Sequence, residues 1–321
     1  MKTTITISSE KDDAPTTLEA ITDEKPATVL GDPSRFASLV DKRSIRVSAC
    51  VYCGSEEDLT DEHVIPYAWG GNLQIHDGAC ERCRECTSRF ENFALNDGSM
   101  PTVRQALRLQ SRSKHKSASR SIKVILAKDC FAKEAEIEAS QAPLVLGFPQ
   151  FSKPRRLAGA GDSPLSLEGW VTTAFGQDID TFMCEQNTNR LQVHEARKHP
   201  VQFAQTIAKI AYTYGCVDGV FEFISGSRDL VSAFMNEPDK LGGFVGTKPS
   251  PYDVFSGMDF RLEYALKAST RQVYMEVQPF SSVPAPTYLV VLGTCEDLRA
   301  WRRVRQRINS GFESGPTVTA N

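Results

Sequence analysis

Five cysteines concentrated in a short stretch are the feature that most constrains what this chain can fold into. Cys50, Cys53, Cys80, Cys83 and Cys86 fall within 37 residues, whereas the other four of the nine cysteines are scattered. The first residues are polar and show no apolar block after a basic start, so no secretory signal is expected and a cytoplasmic, reducing location is predicted. In a reducing compartment, clustered cysteines bind metal or stay reduced more often than they form disulfides.

Two Cys-x2-Cys pairs give the cluster its regular spacing. Cys50 and Cys53 form the first pair, and Cys80 and Cys83 form the second, with 26 residues between the pairs. This spacing predicts a structural zinc ion held tetrahedrally by four thiolates. Such an ion stabilises a segment that is too short to build a hydrophobic core of its own. Cys86 lies one further Cys-x2-Cys step along the chain, so Cys83 and Cys86 are an alternative second pair.

An acid–histidine doublet, Glu62-His63, lies between the two cysteine pairs and is followed by Val-Ile-Pro66. A histidine beside a carboxylate in a polar loop is suited to act as a general base near neutral pH. The carboxylate is suited to hold a hard divalent ion such as Mg²⁺, which binds oxygen and substrate phosphate. The alternative is that His63 only closes the zinc loop and that Glu62 is an exposed charge.

The ordered combination of these motifs resembles a known family. In order, the motifs are Cys50-x2-Cys53, Thr60-Asp-Glu62-His63-Val-Ile-Pro66, Gly70-Gly71, Ala79-Cys80-x2-Cys83 and Thr87-x2-Phe90-Glu91. The segment resembles the HNH endonucleases, specifically their zinc-stapled ββα-metal members, over about 45 of the 321 residues. The resemblance implies a small, treble-clef-like domain with a β-hairpin followed by a helix. It also implies that Glu62 ligates a catalytic Mg²⁺ or Mn²⁺ and that His63 activates a water for attack on a DNA phosphodiester.

The resemblance has one gap, at the last metal ligand. The family usually places a His or Asn on the helix after the second cysteine pair, but the equivalent positions here are Arg84 and Ser88. Glu91 lies two helical turns after Arg84 on the same face and is the predicted substitute, with Asn92 as a weaker one. Without a third ligand, the chain would be a zinc-dependent nucleic-acid-binding protein with a degenerate HNH site, which is the alternative function.

A basic stripe follows this segment. Residues 101–128 contain eight basic and no acidic residues, although the whole chain has a net charge of −3. Such a stripe suits phosphate contacts that do not depend on base sequence. The candidate nucleic-acid-binding residues are Arg104, Arg108, Arg112, Lys114, Lys116 and Arg120. The expected partner is DNA, with RNA left open, and because cutting both strands usually needs two active sites, a homodimer is compatible with the sequence.

The chain divides into five predicted parts, and its fold class is predicted as α+β. These parts are a flexible leader (1–35), the zinc-bound HNH domain (36–98), a basic helix and linker (99–120), a larger mixed α+β domain of unknown role (121–310) and a flexible tail (311–321). No run approaches the roughly 18 apolar residues that a membrane helix needs, so no membrane partner is expected.

Within the larger domain, hydrophobic periodicity predicts individual elements. A helix begins at His199-Pro200 and is expected to stop at Gly215. Alternating apolar residues at 260–266 and 273–277 predict an antiparallel hairpin. Further strands are expected at 122–127, 144–148, 170–175 and 288–292.

Overall fold

The structure is a computed structural model, in which the chain adopts a mixed α+β fold. It describes residues 4–9, 44–96, 100, 121–128, 131–138, 141, 143–195, 198–249, 260–281, 285–297 and 301. Among the described helices, none has both the length and the apolar character needed to cross a bilayer.

The described elements are labelled in chain order. The strands are β1 (Thr4–Ser9), β2 (Ile45–Arg46), β3 (Leu59–His63), β4 (Gln74–Cys80), β5 (Ser121–Lys128), β6 (Phe131–Glu138), β7 (Pro143–Phe151), β8 (Leu167–Gly176), β9 (Arg190–Glu195), β10 (Val245–Thr247), β11 (Phe260–Lys267), β12 (Gln272–Pro279) and β13 (Tyr288–Thr294). The helices are α1 (Glu81–Leu95), α2 (Ile179–Glu185), α3 (Pro200–Val217) and α4 (Ser227–Met235).

A three-stranded sheet carries the cysteine segment. Its strand order is β2-β4-β3, with β4 parallel to β2 and antiparallel to β3. Helix α1 starts directly after β4 and packs against both β3 and β4. Two antiparallel strands followed by a helix therefore occur in the order that the family resemblance implies.

A four-stranded sheet of order β1-β9-β5-β6 lies elsewhere in the chain. Strand β1 pairs in parallel with β9, although it falls inside the predicted flexible leader. Its alternating Thr and Ile residues are β-branched and favour an extended backbone, which explains why six residues of the leader form a strand. A small core under this sheet consists of Val124, Phe182, Met183 and Leu191.

A second four-stranded sheet, of order β10-β13-β12-β11, contains the predicted hairpin. Strands β11 and β12 pair antiparallel, which confirms that prediction. On β12 the apolar residues Val273, Met275 and Val277 are buried, as the alternation indicated. Strand β13 is buried from Tyr288 to Gly293, and β7 pairs antiparallel with β8, so these predicted strands are confirmed as well.

Helix α3 is the central helix and packs against α1, α4 and β13. The helix was predicted to stop at Gly215, but it continues to Val217. A Cβ atom at position 215 would clash with the ring of Phe221. Gly215 is therefore accounted for by close packing inside the helix rather than by helix termination.

The main hydrophobic core runs from the cysteine segment into the larger α+β part. Trp69, in the short turn before β4, is fully buried and contacts the rings of Phe203, Phe260 and Phe280. The same core includes Cys50, Tyr52, Phe90, Phe234 and Tyr288. The cysteine segment therefore packs against α3 and the second sheet, and the division into separate domains stays a prediction.

Candidate metal and active site

The first cysteine pair lies on a tight turn before β3. The backbone N–H of Cys50 donates to the carbonyl of Ser55 (2.7 Å), and the N–H of Gly54 donates back to the carbonyl of Cys50 (2.8 Å). Gly54 has a positive φ of 79°, a conformation that glycine adopts without steric cost. The turn therefore brings Cys50 and Cys53 onto one side of the chain.

The second pair comes from the junction between β4 and α1. Cys80 is the last residue of β4 and precedes the first residue of the helix, while Cys83 lies in the first helical turn. The Sγ atoms of the two pairs all lie within 4.8 Å of one another. Sulfur atoms around a tetrahedral zinc ion are about 3.8 Å apart, given a Zn–S distance of about 2.3 Å. The four thiols could therefore hold one zinc ion.

The thiols of this cluster differ in their acidity. Burial raises the pKa of Cys83 far above its ordinary range. Burial also raises the pKa of Cys50, but hydrogen bonds from the backbone of Cys80, Cys53 and Tyr52 lower it by more, so the net pKa falls below the ordinary value. Backbone hydrogen bonds thus favour a thiolate at Cys50, the form in which cysteine binds metal.

Cys86 lies apart from this cluster. Its Sγ donates to the backbone carbonyl of Met235 on α4, at 3.4 Å. The group of four thiols that converge therefore uses Cys80 and Cys83 as its second pair. In the structure, Cys86 joins α1 to α4 rather than extending the metal cluster.

Side chains of helices α3 and α4 donate hydrogen bonds to the backbone of the turn that carries Cys50 and Cys53. The Tyr212 hydroxyl donates to the carbonyl of Val51 (2.7 Å), and the Arg228 guanidinium donates to the carbonyl of Tyr52 (2.6 Å). The rings of Tyr52 and Tyr212 also stack, with centroids 6.0 Å apart. Val51 and Tyr52, the two residues between the first cysteines, are thus held by side chains that lie 161 and 176 residues further along the chain, respectively.

The connection between β3 and β4 depends on Gly70 and Gly71. Gly70 adopts a left-handed conformation with φ of 91° and ends the short turn Tyr67–Trp69. A Cβ atom at position 71 would overlap the carbonyl of Ile65. The glycine pair therefore allows the chain after His63 to fold back tightly into β4.

Glu62 and Glu91 are brought together around a lysine from α3. Lys209 Nζ lies 2.5 Å from Glu62 Oε1 and 2.9 Å from Glu91 Oε1. The same ammonium group donates to the backbone carbonyl of His63. Lys209 is 0% exposed and Glu62 is 5% exposed. Three oxygen atoms, from β3 and α1, therefore converge on one buried positive charge.

The carboxylates keep this lysine charged in spite of its burial. Burial lowers the pKa of Lys209, but the charges of Glu62 and Glu91 and the hydrogen bonds to them raise it by more, so the net pKa lies above its ordinary value. A buried lysine is rarely stable unless it is paired, and here it has two carboxylate partners. The group therefore carries two negative charges and one positive charge.

His63 lies beside this group, at the end of β3. Its side chain is half-buried, and its Nε2 lies 2.8 Å from the side-chain amide nitrogen of Gln74 on β4. The Tyr67 ring contacts the imidazole edge-on, with centroids 5.9 Å apart. Gln74 and Tyr67 thus restrict the orientation of the ring that was predicted to act as the general base.

The remaining predicted residues are distributed as follows. Arg84 forms an exposed ion pair with Glu81 on α1, and Asn92 is exposed on the same helix. The predicted nucleic-acid-binding residues, which lie outside the described part of the chain, are Arg104, Arg108, Arg112, Lys114, Lys116 and Arg120. Their role stays a prediction.

Lys209 and Gln74 were not predicted from the sequence. A signal for Lys209 was present, because it is the only charged residue in the run 201–217, which is otherwise apolar or uncharged. A single lysine in a helix that is apolar on all sides indicates a buried ion pair. Gln74 gave no signal, since a glutamine at the start of a strand has many ordinary roles.

Comparisons with known proteins gave a match for one segment of the chain. No match was found among curated proteins or among solved structures. The segment of residues 50–99, which contains the four converging cysteines, Glu62, His63 and Glu91, matches the HNH endonuclease family.

Proposed function

We propose that the chain is an HNH-type endonuclease that hydrolyses DNA phosphodiester bonds, with His63 as the general base and Glu62 as a ligand of a catalytic Mg²⁺ or Mn²⁺. The family match over 50–99 indicates a nuclease-like or nucleic-acid-related function. The observation that carries the finer proposal is the convergence of the Glu62 and Glu91 carboxylates and the His63 carbonyl on one cation. This position adjoins the histidine that would act as the base.

The donor set fits a hard divalent ion. Mg²⁺ and Mn²⁺ prefer carboxylate and carbonyl oxygens, and oxygens of both kinds surround the Lys209 ammonium, which acts as a stand-in cation. Glu62 and Glu91 would be the side-chain ligands. When bound, such an ion would stabilise negative charge on the phosphate.

The proposed role of His63 is to take a proton from the attacking water. In the structure the amide nitrogen of Gln74 faces His63 Nε2 and can only donate to it, whereas a 180° turn of the amide would present the amide oxygen as an acceptor instead. If the amide oxygen accepts from Nε2–H, then Nδ1 is the nitrogen that takes the proton. Gln74 would then be a positioning residue, because it fixes the tautomer and the ring orientation without contacting the substrate.

Other parts of the proposal concern binding. The four thiols would hold zinc as a structural ion that fixes α1 against β4. The basic stripe at 101–128 would contact DNA or RNA phosphates, and a homodimer would be needed for concerted cutting of both strands. Four converging reduced cysteines also favour a reducing compartment such as the cytoplasm.

A second candidate function is nucleic-acid binding without hydrolysis. The observation that favours it is Lys209, which already neutralises one charge of the predicted metal-binding pair. Arg84 and Ser88, where the family usually has a His or Asn ligand, favour it as well. In this case the HNH-like segment would be a zinc-stabilised fold that presents basic residues to the nucleic acid.

A nicking assay on supercoiled plasmid distinguishes the hydrolytic function from binding without hydrolysis. Full-length protein would be incubated with plasmid with and without Mg²⁺ or Mn²⁺, beside His63→Ala and the control His76→Ala, with a single-stranded RNA in parallel. His76 is a matched control because it lies on β4 and pairs with Asp61, outside the Glu62–Lys209–Glu91 group. We expect metal-dependent nicking that falls about 100-fold or more in His63→Ala and persists in His76→Ala.

Two results would contradict the proposed hydrolytic mechanism, in which His63 is the general base. One is equal nicking by wild type and His63→Ala, which would remove His63 from the mechanism. The other is retention of plasmid in a gel-shift assay without nicking under either metal, which would support the binding function instead.

A further inference from the structure

A lysine ammonium lies at the point where the candidate metal ligands converge. Lys209 Nζ is within 2.9 Å of both Glu62 Oε1 and Glu91 Oε1, and it also donates to the His63 carbonyl. Magnesium would bind the same oxygen atoms at about 2.0–2.1 Å. Because Nζ already lies between these oxygen atoms, the ammonium group and a divalent ion cannot both occupy that position.

The fold holds this lysine in place rather than leaving it as a mobile side chain. Thr213 Oγ1 on α3 lies 3.3 Å from the carbonyl oxygen of Val64, which follows β3, and 2.8 Å from the carbonyl oxygen of Lys209. Tyr212, three residues after Lys209 on the same helix, donates its hydroxyl hydrogen to the carbonyl of Val51. These bonds fix the backbone of α3 against the segment that carries Glu62. The Lys209 side chain therefore extends from a fixed helix into the acidic group, which consists of Glu62 and Glu91.

Electrostatics favours the same arrangement when no divalent ion is bound. Two carboxylates that share a buried site repel one another, and a positive charge between them removes much of this cost. Lys209 is fully buried, so the attraction is screened less than in a surface pair. Lys209 therefore places a positive charge between the two carboxylates before any ion arrives.

We propose that Lys209 is a built-in cation for the site between Glu62 and Glu91, and that a divalent ion binds there only by displacing its ammonium group. The lysine would stabilise the metal-free protein and would raise the ion concentration that is needed to load the site. Because the inference rests on the metal-binding role proposed above, the test measures ion binding separately from DNA cleavage.

The direct test is Mn²⁺ binding to the zinc-loaded full chain, measured from the free Mn²⁺ signal in electron paramagnetic resonance. Lys209→Met removes the charge but keeps a long apolar side chain, and Lys209→Gln keeps a hydrogen-bond donor. We expect both variants to bind one Mn²⁺ at least about tenfold more tightly than wild type, because a like charge has been removed from the site. Added Mn²⁺ should also raise the unfolding temperature of these variants more than that of wild type.

The matched control is Lys248→Met. Lys248 pairs with Glu276 at 2.8 Å, but its side chain is 46% exposed and lies outside the acidic group. This variant should bind Mn²⁺ like wild type. Glu62→Gln, introduced into Lys209→Met, should abolish the gained affinity, which would place the ion at the proposed ligands.

Unchanged Mn²⁺ affinity in folded Lys209→Met and Lys209→Gln would overturn the inference, even if wild type nicks plasmid. Gained affinity without nicking would support the inference while contradicting the hydrolytic function. If neither variant folds, reductive methylation of wild-type lysines, followed by mass spectrometry, decides the matter. Saturating Mg²⁺ should then increase the labelling of Lys209, and unchanged labelling would overturn the displacement.

Discussion

Two groups of side chains in this chain could each surround a cation, and they are assembled in different ways. The four thiols all come from residues 50–83, from one turn and one strand–helix junction. The acidic group takes Glu62 from that segment and Glu91 from further along α1, but it takes its positive charge from Lys209 on α3. The first group is complete within one short stretch of sequence. The second exists only after the larger part of the chain has packed against it.

The difference affects what each group does for the fold. With zinc held by the four thiols as proposed, the folded segment would depend on that ion for part of its stability. The carboxylates already have a cation, supplied by the chain itself. We therefore expect zinc removal to affect the structure strongly and divalent-ion removal to affect it little.

The largest expected effect comes from breaking the thiol group. Cys80→Ser should reduce the zinc content well below about one ion per chain and should unfold the cysteine segment, since structural zinc contributes on the order of 10 kcal/mol. Elemental analysis and thermal unfolding would measure both changes. The control is Cys184→Ser, an exposed thiol outside the cluster. Full zinc content in Cys80→Ser would show that the four thiols do not form the zinc site.

The next effect comes from breaking the acidic group. Lys209→Met should lower the free energy of unfolding by about 3–5 kcal/mol without divalent ions, because the buried Glu62 and the half-buried Glu91 would lose their counter-ion. Urea denaturation in the presence of a trace of zinc and no Mg²⁺ or Mn²⁺ would measure it. A decrease in the free energy of unfolding below about 1 kcal/mol would mean that the Lys209 ammonium stabilises the fold no more than a charge in an exposed ion pair does.

These two groups also show how far the sequence alone could predict the site. The cysteine pairs, Glu62 and His63 were identified because ligand spacing and an acid–histidine doublet are local patterns. Lys209 could not be placed, because no local pattern says which strand a helix will pack against. The hairpin of β11 and β12 was predicted from alternation, whereas the parallel pairing of β1 with β9 joins residues more than 180 positions apart. Long-range contacts depend on how the elements pack together, which the hydrophobic periodicity of a single element does not predict.

The contact between α3 and the cysteine turn links the two groups and predicts a smaller effect. Tyr212→Phe removes the hydroxyl that donates to Val51 but keeps the ring stacking on Tyr52. We expect a loss of about 1 kcal/mol, the typical value of one hydrogen bond. Arg228 lies 3.4 Å from the same carbonyl and limits the cost. Unchanged stability, measured by urea denaturation, would mean that ring packing alone holds the turn.

The smallest expected effect tests whether burial is what makes Lys209 important. Lys248→Met breaks a lysine–glutamate pair of similar length, 2.8 Å, but at the surface. Exposed ion pairs contribute less than about 1 kcal/mol, so the free energy of unfolding should change by no more than that. A loss as large as that of Lys209→Met would remove the distinction between the buried and the exposed pair.

The most direct test of the central claim is anomalous diffraction from crystals of wild type and Lys209→Met soaked in the same Mn²⁺ solution. We expect a manganese peak between Glu62 and Glu91 in Lys209→Met and, at the same concentration, a weaker peak or none in wild type. Where wild type does bind the ion, the Lys209 side chain should have left the two carboxylates. A full manganese peak in wild type with the ammonium still bonded to Glu62 and Glu91 would show that the ion binds without displacing Lys209.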